Sequence, residues 1–181
     1  FDFPAEHKLS FNSKEDKYVN SVAYTDKCLG DFMGSVKDEN WYANTLFVIV
    51  ADHSHKSPIK RRFAQKESFK IPMLWYGEVL DTNHKGAQWD KFASHIDITP
   101  TILSQMDINV DNDYFGRDIF GDNSGFIFYS FGSGYGMIKE EGNSAFSITY
   151  NKFIESNFND SSIVSEAEMF LQHSFDRYLS Y

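Results

Sequence analysis

An aspartate and two histidines follow the longest compact apolar run of the 181-residue chain. Leu46–Ala51 leads directly into Asp52, His53, Ser54 and His55. A carboxylate oxygen beside a neutral imidazole nitrogen suits Zn²⁺, Mn²⁺ or a similar divalent ion. Asp-His pairs are common by chance, and Asp52 could instead cap the next turn. The position of the pair at the end of a predicted strand favours a metal site, because ligands bind at this edge of open α/β sheets.

A metal site needs more than two protein ligands as a rule, so further partners are required. The chain offers His55, His84 and His95, and none of them has diagnostic spacing. His95 comes just before a predicted helix. There it could simply orient the chain by hydrogen bonding, or support a ligand from behind.

Composition excludes several other kinds of site. The single cysteine, Cys28, rules out an intrachain disulfide and a cysteine-based zinc site, and its place inside a predicted helix indicates a core residue. The net charge of −9 argues against a general nucleic-acid binder, which needs a basic face for the phosphates. The glycine-rich segment 132–136 lacks the Lys-Ser/Thr ending of a phosphate loop. No apolar run approaches the roughly 20 residues of a membrane helix.

A helix and two strands are predicted to position the Asp-His pair. Ser13–Val36 has apolar residues at three- and four-residue steps, with Ser13 as a cap, and predicts an amphipathic helix. Thr45–Ala51 is uniformly apolar and rich in β-branched residues. That pattern is typical of a strand covered on both faces, as in a parallel sheet. Ile71–Tyr76 predicts a second short strand, after a long polar loop.

The rest of the chain predicts two further helices, with a region rich in glycine and aromatic residues between them. Thr99 as N-cap and Pro100 at the first helical position predict a helix to about Met106. After Asp118, glycines separate short aromatic runs, which predict an antiparallel meander. The runs are Phe126–Phe131, Tyr135–Ile138 and Ala145–Tyr150. Ser165–Leu179 predicts a final amphipathic helix, and 18 phenylalanines indicate a core built on aromatic packing.

Four segments taken in order form a far more specific pattern than Asp-His alone. They are Tyr18–Gly30, Trp41–His53, Ile71–Gly77, and Ser94–Leu103 followed by Phe115–Asp118. Together they resemble the C-terminal part of the sulfatase domain in the alkaline phosphatase superfamily. Within it, the chain is similar to the lipoteichoic acid synthase and phosphoglycerol transferase branch.

The resemblance implies an alkaline-phosphatase-like α/β fold, with a mixed sheet and flanking helices. Residues 1–120 would be the C-terminal part of the catalytic domain. Residues 121–181 would be the antiparallel β-meander and helix that complete it. The opening Phe1–Pro4 looks like the residues that follow a substrate-binding histidine in this branch, so the chain is expected to begin inside the catalytic domain.

The resemblance also implies in-line displacement at phosphorus or sulfur by a metal-activated nucleophile. Asp52 and His53 would be metal ligands. His55 would be a neighbour that holds substrate or a water, with His95 in a similar supporting place. The metal would be Mn or Zn, or Ca in a true sulfatase. The segment Arg61–Ser68 holds no further histidine ligand, which favours a one-metal site.

The family's nucleophile is absent from the chain, because the resemblance places it well upstream of Asp52. Cys28 does not replace it, since Leu-Gly-Asp follows Cys28 where sulfatases have Cys-x-Pro-x-Arg. The isolated chain is therefore expected to be inactive. An alternative is a non-catalytic sulfatase-fold module that regulates or binds lipid.

The partner implied by the resemblance is an anionic ester: a phospholipid head group, a phosphoglycan or a sulfate ester. Enzymes of this branch are held on the extracytoplasmic face of the cytoplasmic membrane by upstream helices. The same placement, periplasmic or at the cell surface, is the expectation for the protein that carries this chain.

Overall fold

Residues 13–55, 59–62, 64–109, 115–121, 125–157 and 162–180 are described by the computed structural model. The helices are α1 (Lys14–Val36), α2 (Ile98–Gln105) and α3 (Ser162–Leu179). The strands are β1 (Phe47–Val50), β2 (Met73–Tyr76), β3 (Ile127–Phe131), β4 (Gly134–Lys139), β5 (Gly142–Ser147) and β6 (Lys152–Ser156). No helix among these residues is long and apolar enough to span a bilayer.

The chain divides into two compact units. The first unit is residues 1–61 and 70–87, and the second is residues 62–69 and 88–181. The domain boundary near residue 120 stays a prediction, and the opening Phe1–Pro4 lies outside the described residues.

Helix α1 of the first unit begins as its sequence predicts. The Oγ of Ser13 accepts a hydrogen bond from the N–H of Asp16 at 3.1 Å, and the Asp16 carboxylate accepts one from the N–H of Ser13 at 2.9 Å. This reciprocal pair satisfies two backbone donors at the helix start. Only Asn20 of α1 is buried among the described residues. The expectation that Cys28 is a core residue was therefore wrong, because its side chain is exposed.

Strands β1 and β2 pair antiparallel, with Phe47 opposite Tyr76 and Val50 opposite Met73. The parallel pairing that the sequence of β1 suggested is therefore wrong for this pair. All four residues of β1 are half-buried, so both faces are partly covered and the strand does not alternate. A uniformly apolar sequence indicates that both faces of a strand are covered. It does not indicate whether the neighbouring strand runs parallel or antiparallel.

The second unit contains the predicted meander, in the order β3-β4-β5-β6 with every pair antiparallel. Tyr135 and Met137 of β4 pack against Ile163 and Ala167 of α3. Strand β6 was not predicted, because most of its residues are exposed and give it no apolar face to recognise.

Glycine in β4 makes room for an aromatic ring on the neighbouring strand. Gly136 lies opposite Tyr129, and a Cβ at Gly136 would be 2.2 Å from the tyrosine ring. The glycine-rich segment 132–136 therefore belongs to a turn and a strand, in agreement with its exclusion as a phosphate loop.

The helix predicted to start at Thr99 begins earlier. A 3₁₀ turn, His95–Asp97, precedes α2, and Ser94 caps it together with the side chain of Asp97. Thr99 as N-cap was therefore wrong. Ser94 and Asp97 make the reciprocal capping hydrogen bonds, so the chain is already helical when it reaches Thr99.

Candidate metal site

Asp52 and His53 lie just past the carboxyl end of β1 in the first unit. The N–H of Ala51 donates to the carbonyl of Pro72 at 3.4 Å, so the β1–β2 pairing reaches the residue before Asp52. The Asp52 side chain is 87% exposed and that of His53 is 77% exposed. Both side chains thus lie in solvent directly after the strand.

The two side chains face each other, and the atoms with which each could bind a metal lie close together. The Nε2 of His53 is 3.5 Å from Oδ2 of Asp52. The other carboxylate oxygen, Oδ1, accepts a hydrogen bond from the N–H of His53 at 2.8 Å. Two donor atoms separated in this way can both lie about 2.1 Å from one divalent ion.

A backbone carbonyl favours the tautomer of His53 that can bind a metal. Nδ1 of His53 lies 2.9 Å from the carbonyl oxygen of Ser54. A neutral imidazole that donates from Nδ1 keeps the lone pair of Nε2 for a ligand bond, and metal-binding histidines are commonly held in this way. The residues present therefore fit a divalent ion, with Nε2 and Oδ2 as its contacts.

The described residues do not complete the ligand set. No group of three or more His, Cys, Asp or Glu side chains among them could hold a metal ion. His55 instead lies on Tyr18 of α1, with ring centroids 3.9 Å apart and planes inclined by 8°. His95 belongs to the second unit and is exposed there. Asp52 and His53 would thus be two ligands of a larger set.

In the motif that contains His95, the buried side chain is that of Asp97, two residues later. Asp97 is 2% exposed, and its carboxylate accepts hydrogen bonds from the N–H of Ser94 at 2.7 Å and the N–H of Arg117 at 2.9 Å. The hydroxyl of Ser94 is also near, at 3.3 Å. Asp97 therefore ties the start of α2 to the turn at residues 115–118.

Thr101 and Gly116 strengthen the same junction. The buried hydroxyl of Thr101 donates to the carbonyl of Asp97 at 2.6 Å and accepts from the N–H of Ile119 at 3.0 Å. A Cβ on Gly116 would lie 1.8 Å from the carbonyl oxygen of Ile96, so only glycine fits there. Sequence reasoning singled out His95 in this motif and missed Asp97. The available signal was Ser94 followed three residues later by an acidic residue, the spacing of a capping box.

Known proteins match this chain in sequence and in structure. The family model described as Sulfatase matches residues 2–108. Lipoteichoic acid synthases of Staphylococcus aureus strains USA300 and NCTC 8325 are each 24% identical over 136 residues, covering 66% of this chain. The match spans only 20% of the length of those relatives.

A solved structure shows the fold. A protein of the alkaline phosphatase superfamily from Vibrio parahaemolyticus superposes with a TM-score of 0.76 at 18% identity. The superposition covers 98% of this chain and 46% of that one. The α/β fold expected from the resemblance, with its C-terminal meander and helix, is therefore confirmed.

Proposed function

The chain belongs to the sulfatase family, and we propose that it contributes Asp52 and His53 as metal ligands to an enzyme acting on phosphate or sulfate esters. The observation that carries this proposal is the pairing of His53 Nε2 with Asp52 Oδ2 at 3.5 Å, in solvent, at the end of β1. The contact of Nδ1 with the Ser54 carbonyl supports it, because this contact favours the tautomer that a ligand needs.

A divalent ion bound there would offset the charge of an anionic ester and favour the deprotonated form of an attacking hydroxyl. The chain's own residues would do the rest by holding position. Strand β1 presents Asp52 and His53 together, and the Ser54 carbonyl restrains the imidazole. Such restraint matters because catalytic and ligand groups must be held within a fraction of an ångström of their working geometry.

The finer assignments are also proposals. We take a phosphoglycerol-type or other anionic head group as the substrate class, because the matched relatives are named lipoteichoic acid synthases. The metal would be Mn²⁺ or Zn²⁺. The protein that carries the chain would work on the extracytoplasmic face of the membrane.

Metal binding tests the proposal directly. Calorimetric titration of the full-length protein with Zn²⁺ and with Mn²⁺ should show a site. Asp52→Ala and His53→Ala should each weaken it by at least about tenfold, since each removes one ligand. The matched controls are Asp38→Ala and His173→Ala, which remove the same kinds of side chain at other positions of the chain and should leave the affinity unchanged.

Equal metal affinity in the full-length protein and in its Asp52→Ala variant would contradict the assignment of the ligands. Turnover separates the enzyme from the binding module. The full-length protein should hydrolyse or transfer an ester, and Asp52→Ala should abolish that activity. Metal binding without any turnover by the full-length protein would favour the non-catalytic module instead.

The 181-residue chain by itself should not turn over an ester. The resemblance places the nucleophile upstream of Asp52, and Asp52 and His53 supply only part of a ligand set. Assays with chromogenic phosphate and sulfate esters, with added Mn²⁺ or Zn²⁺, measure this. Metal-dependent hydrolysis by the pure chain would show that it carries a nucleophile of its own.

A further inference from the structure

The two ends of the four-stranded meander differ in charge. The turn between β4 and β5 lies at one end and carries Glu140 and Glu141. The turn after β3 and the turn after β5 both lie at the other end, because neighbouring strands run antiparallel. Residues 123–138 contain no charged side chain, and residues 142–154 contain one, that of Lys152. The turns at this second end therefore carry no acidic residue, although the chain has a net charge of −9.

The turn between β5 and β6 exposes apolar side chains at this uncharged end. Ile148 is 61% exposed and Tyr150 is 71% exposed. The Nζ of Lys152 lies 5.9 Å from the centroid of the Tyr150 ring. An aliphatic group, an amphipathic ring and a cation thus occur within five residues. These three side chains form the tip of the meander.

Hydrogen bonds of the backbone fix the shape of the tip. The N–H of Ile148 donates to the carbonyl of Ser133 at 2.8 Å, which joins the turns after β5 and β3. The N–H of Tyr150 donates to the Ser147 hydroxyl at 3.3 Å, and the N–H of Asn151 donates to the Ile148 carbonyl at 3.3 Å. Asn151 has a φ of 48°, a conformation that asparagine adopts more readily than most residues. A turn held in this way loses little freedom when it binds.

We propose that the tip is a membrane contact, in which Ile148 and Tyr150 enter the lipid interface and Lys152 meets anionic head groups. Tyrosine rings are enriched at the depth of the head groups, because one edge is apolar and the hydroxyl is polar. A lysine beside them keeps its stem along apolar groups while its ammonium reaches the lipid phosphates.

The acidic end of the meander fits this orientation. Strand β4 has six residues, so the turn with Glu140 and Glu141 lies about 20 Å along the strands from the tip. Exposed charges interact weakly beyond the Debye length, which is about 8 Å at physiological salt. The two carboxylates therefore oppose the approach of the tip to anionic lipid only weakly.

The size of the tip favours a lipid surface over a protein as its partner. A stable protein interface buries about 800 Å² on each side, which two apolar side chains on a turn do not supply. A bilayer requires no matching shape, and binding to it grows with the apolar area buried and with the attraction of nearby cations.

The inference rests on the proposed function for the presence of a membrane beside the protein. It concerns the second unit, whereas Asp52 and His53 lie in the first. A membrane contact of the second unit would keep the chain at the surface from which a lipid head group is taken. Metal binding and vesicle binding can therefore be measured and can fail independently.

Sedimentation of the 181-residue chain with vesicles tests the contact. The chain should bind vesicles made of equal parts of phosphatidylcholine and phosphatidylglycerol. Ile148→Ser should weaken this binding by about tenfold, since it removes a large apolar side chain from the interface. Lys152→Gln should weaken it by about fivefold, and should leave binding to pure phosphatidylcholine unchanged.

Two substitutions elsewhere are the matched controls. Ile59→Ser removes the same side chain at a position that is 59% exposed, and Lys37→Gln removes an exposed lysine after α1. Both variants should bind the mixed vesicles as the parent chain does. Circular dichroism checks that each variant keeps the fold, which is expected because all four positions are exposed.

Nuclear magnetic resonance locates the contact without any substitution. Lipids with a nitroxide on the head group, placed in nanodiscs of the same mixed composition, broaden the signals of nearby amides. The amide signals of Ile148 and Tyr150 should lose the most intensity. Those of Glu140 and Glu141, at the opposite end of the meander, should lose little.

Several outcomes would overturn the inference. They are equal vesicle binding by the parent chain and Ile148→Ser, an equal loss in Ile59→Ser, or broadening that is as strong at Glu141 as at Tyr150. Self-association that Ile148→Ser removes, without vesicle binding, would assign the tip to a second copy of the chain. If the full-length protein binds no zinc while the tip still binds vesicles, the metal proposal fails and the membrane contact stands.

Discussion

Two regions of this molecule each carry an aspartate and a histidine within three residues, and they differ in almost every physical respect. At the end of β1, the side chains of Asp52 and His53 are 87% and 77% exposed. In the turn before α2, Asp97 is 2% exposed, whereas His95 is exposed. The residue types are the same, so the difference comes from burial and from the hydrogen-bond donors around each carboxylate.

The two carboxylates differ in how many of their lone pairs are used by backbone donors. The Asp97 carboxylate accepts backbone hydrogen bonds from Ser94 and Arg117, so its lone pairs are used to join α2 to the turn after it. The Asp52 carboxylate has one backbone donor on Oδ1, and its Oδ2 faces His53 Nε2. A buried and satisfied carboxylate stabilises the fold, whereas an exposed pair with convergent donor atoms suits a ligand.

The largest effect that sharpens this contrast is expected at Gly116. Gly116→Ala would place a Cβ 1.8 Å from the Ile96 carbonyl, so the backbone of the junction must move. We expect a loss of about 3 kcal/mol in the free energy of unfolding. Urea denaturation followed by circular dichroism measures it. Gly30→Ala, in α1 with no atom within 4 Å of the new Cβ, is the control and should be neutral or slightly stabilising.

The second prediction compares the two carboxylates directly. Asp97→Ala leaves the N–H groups of Ser94 and Arg117 without their acceptor and should cost about 2.5 kcal/mol of stability. Asp52→Ala should change the stability of the metal-free chain by less than about 0.5 kcal/mol, because the side chain is exposed. Equal losses in the two variants, measured by urea denaturation, would contradict the contrast between a buried structural carboxylate and an exposed one.

Thr101→Val tests whether the junction depends on hydrogen bonds as well as on packing. Valine keeps the shape of Thr101 and removes the hydroxyl that donates to the Asp97 carbonyl and accepts from the Ile119 N–H. The expected loss is about 1.5 kcal/mol in the free energy of unfolding. Thr82→Val, at an exposed position of the first unit, is the control. A loss at Thr101 no larger than at Thr82 would mean that packing alone holds the junction.

The smallest effect concerns alkaline pH, where burial in the second unit should again be visible. Burial, with Glu168 adding to it, raises the pKa of Tyr135 from 10.0 to about 12. The unfolded chain then loses its tyrosine proton first, so this contribution to stability is complete below about pH 10 and is lost as the pH rises towards 12. Tyr135→Phe should therefore lose less stability than the parent chain between about pH 10 and pH 12. Parallel slopes of the two proteins in urea denaturation across that interval would contradict the assignment.

Much of the local structure could be read from the sequence, because it depends on neighbouring residues. Ser13 with Asp16 three residues later specifies the start of α1, and the structure has both hydrogen bonds. The glycine-separated aromatic runs predict the meander, since turns and short strands are encoded locally. Strand β6 was not predicted because its residues are mostly exposed. Thr99 was wrongly predicted as the cap because Ser94 and Asp97 start the helical segment earlier in the chain.

For the candidate site, the sequence by itself determined which side chains could bind a metal and that they follow a strand. Asp52 and His53 are adjacent, and the apolar run before them brings both to one end of β1. The tertiary structure decided the rest, because distant segments meet only when the chain folds. It placed Tyr18 under His55 across 37 positions of the chain. It also buried Asp97 beside the backbone of Arg117 and left Asp52 in solvent, so burial, which no short sequence motif contains, distinguishes the two aspartates.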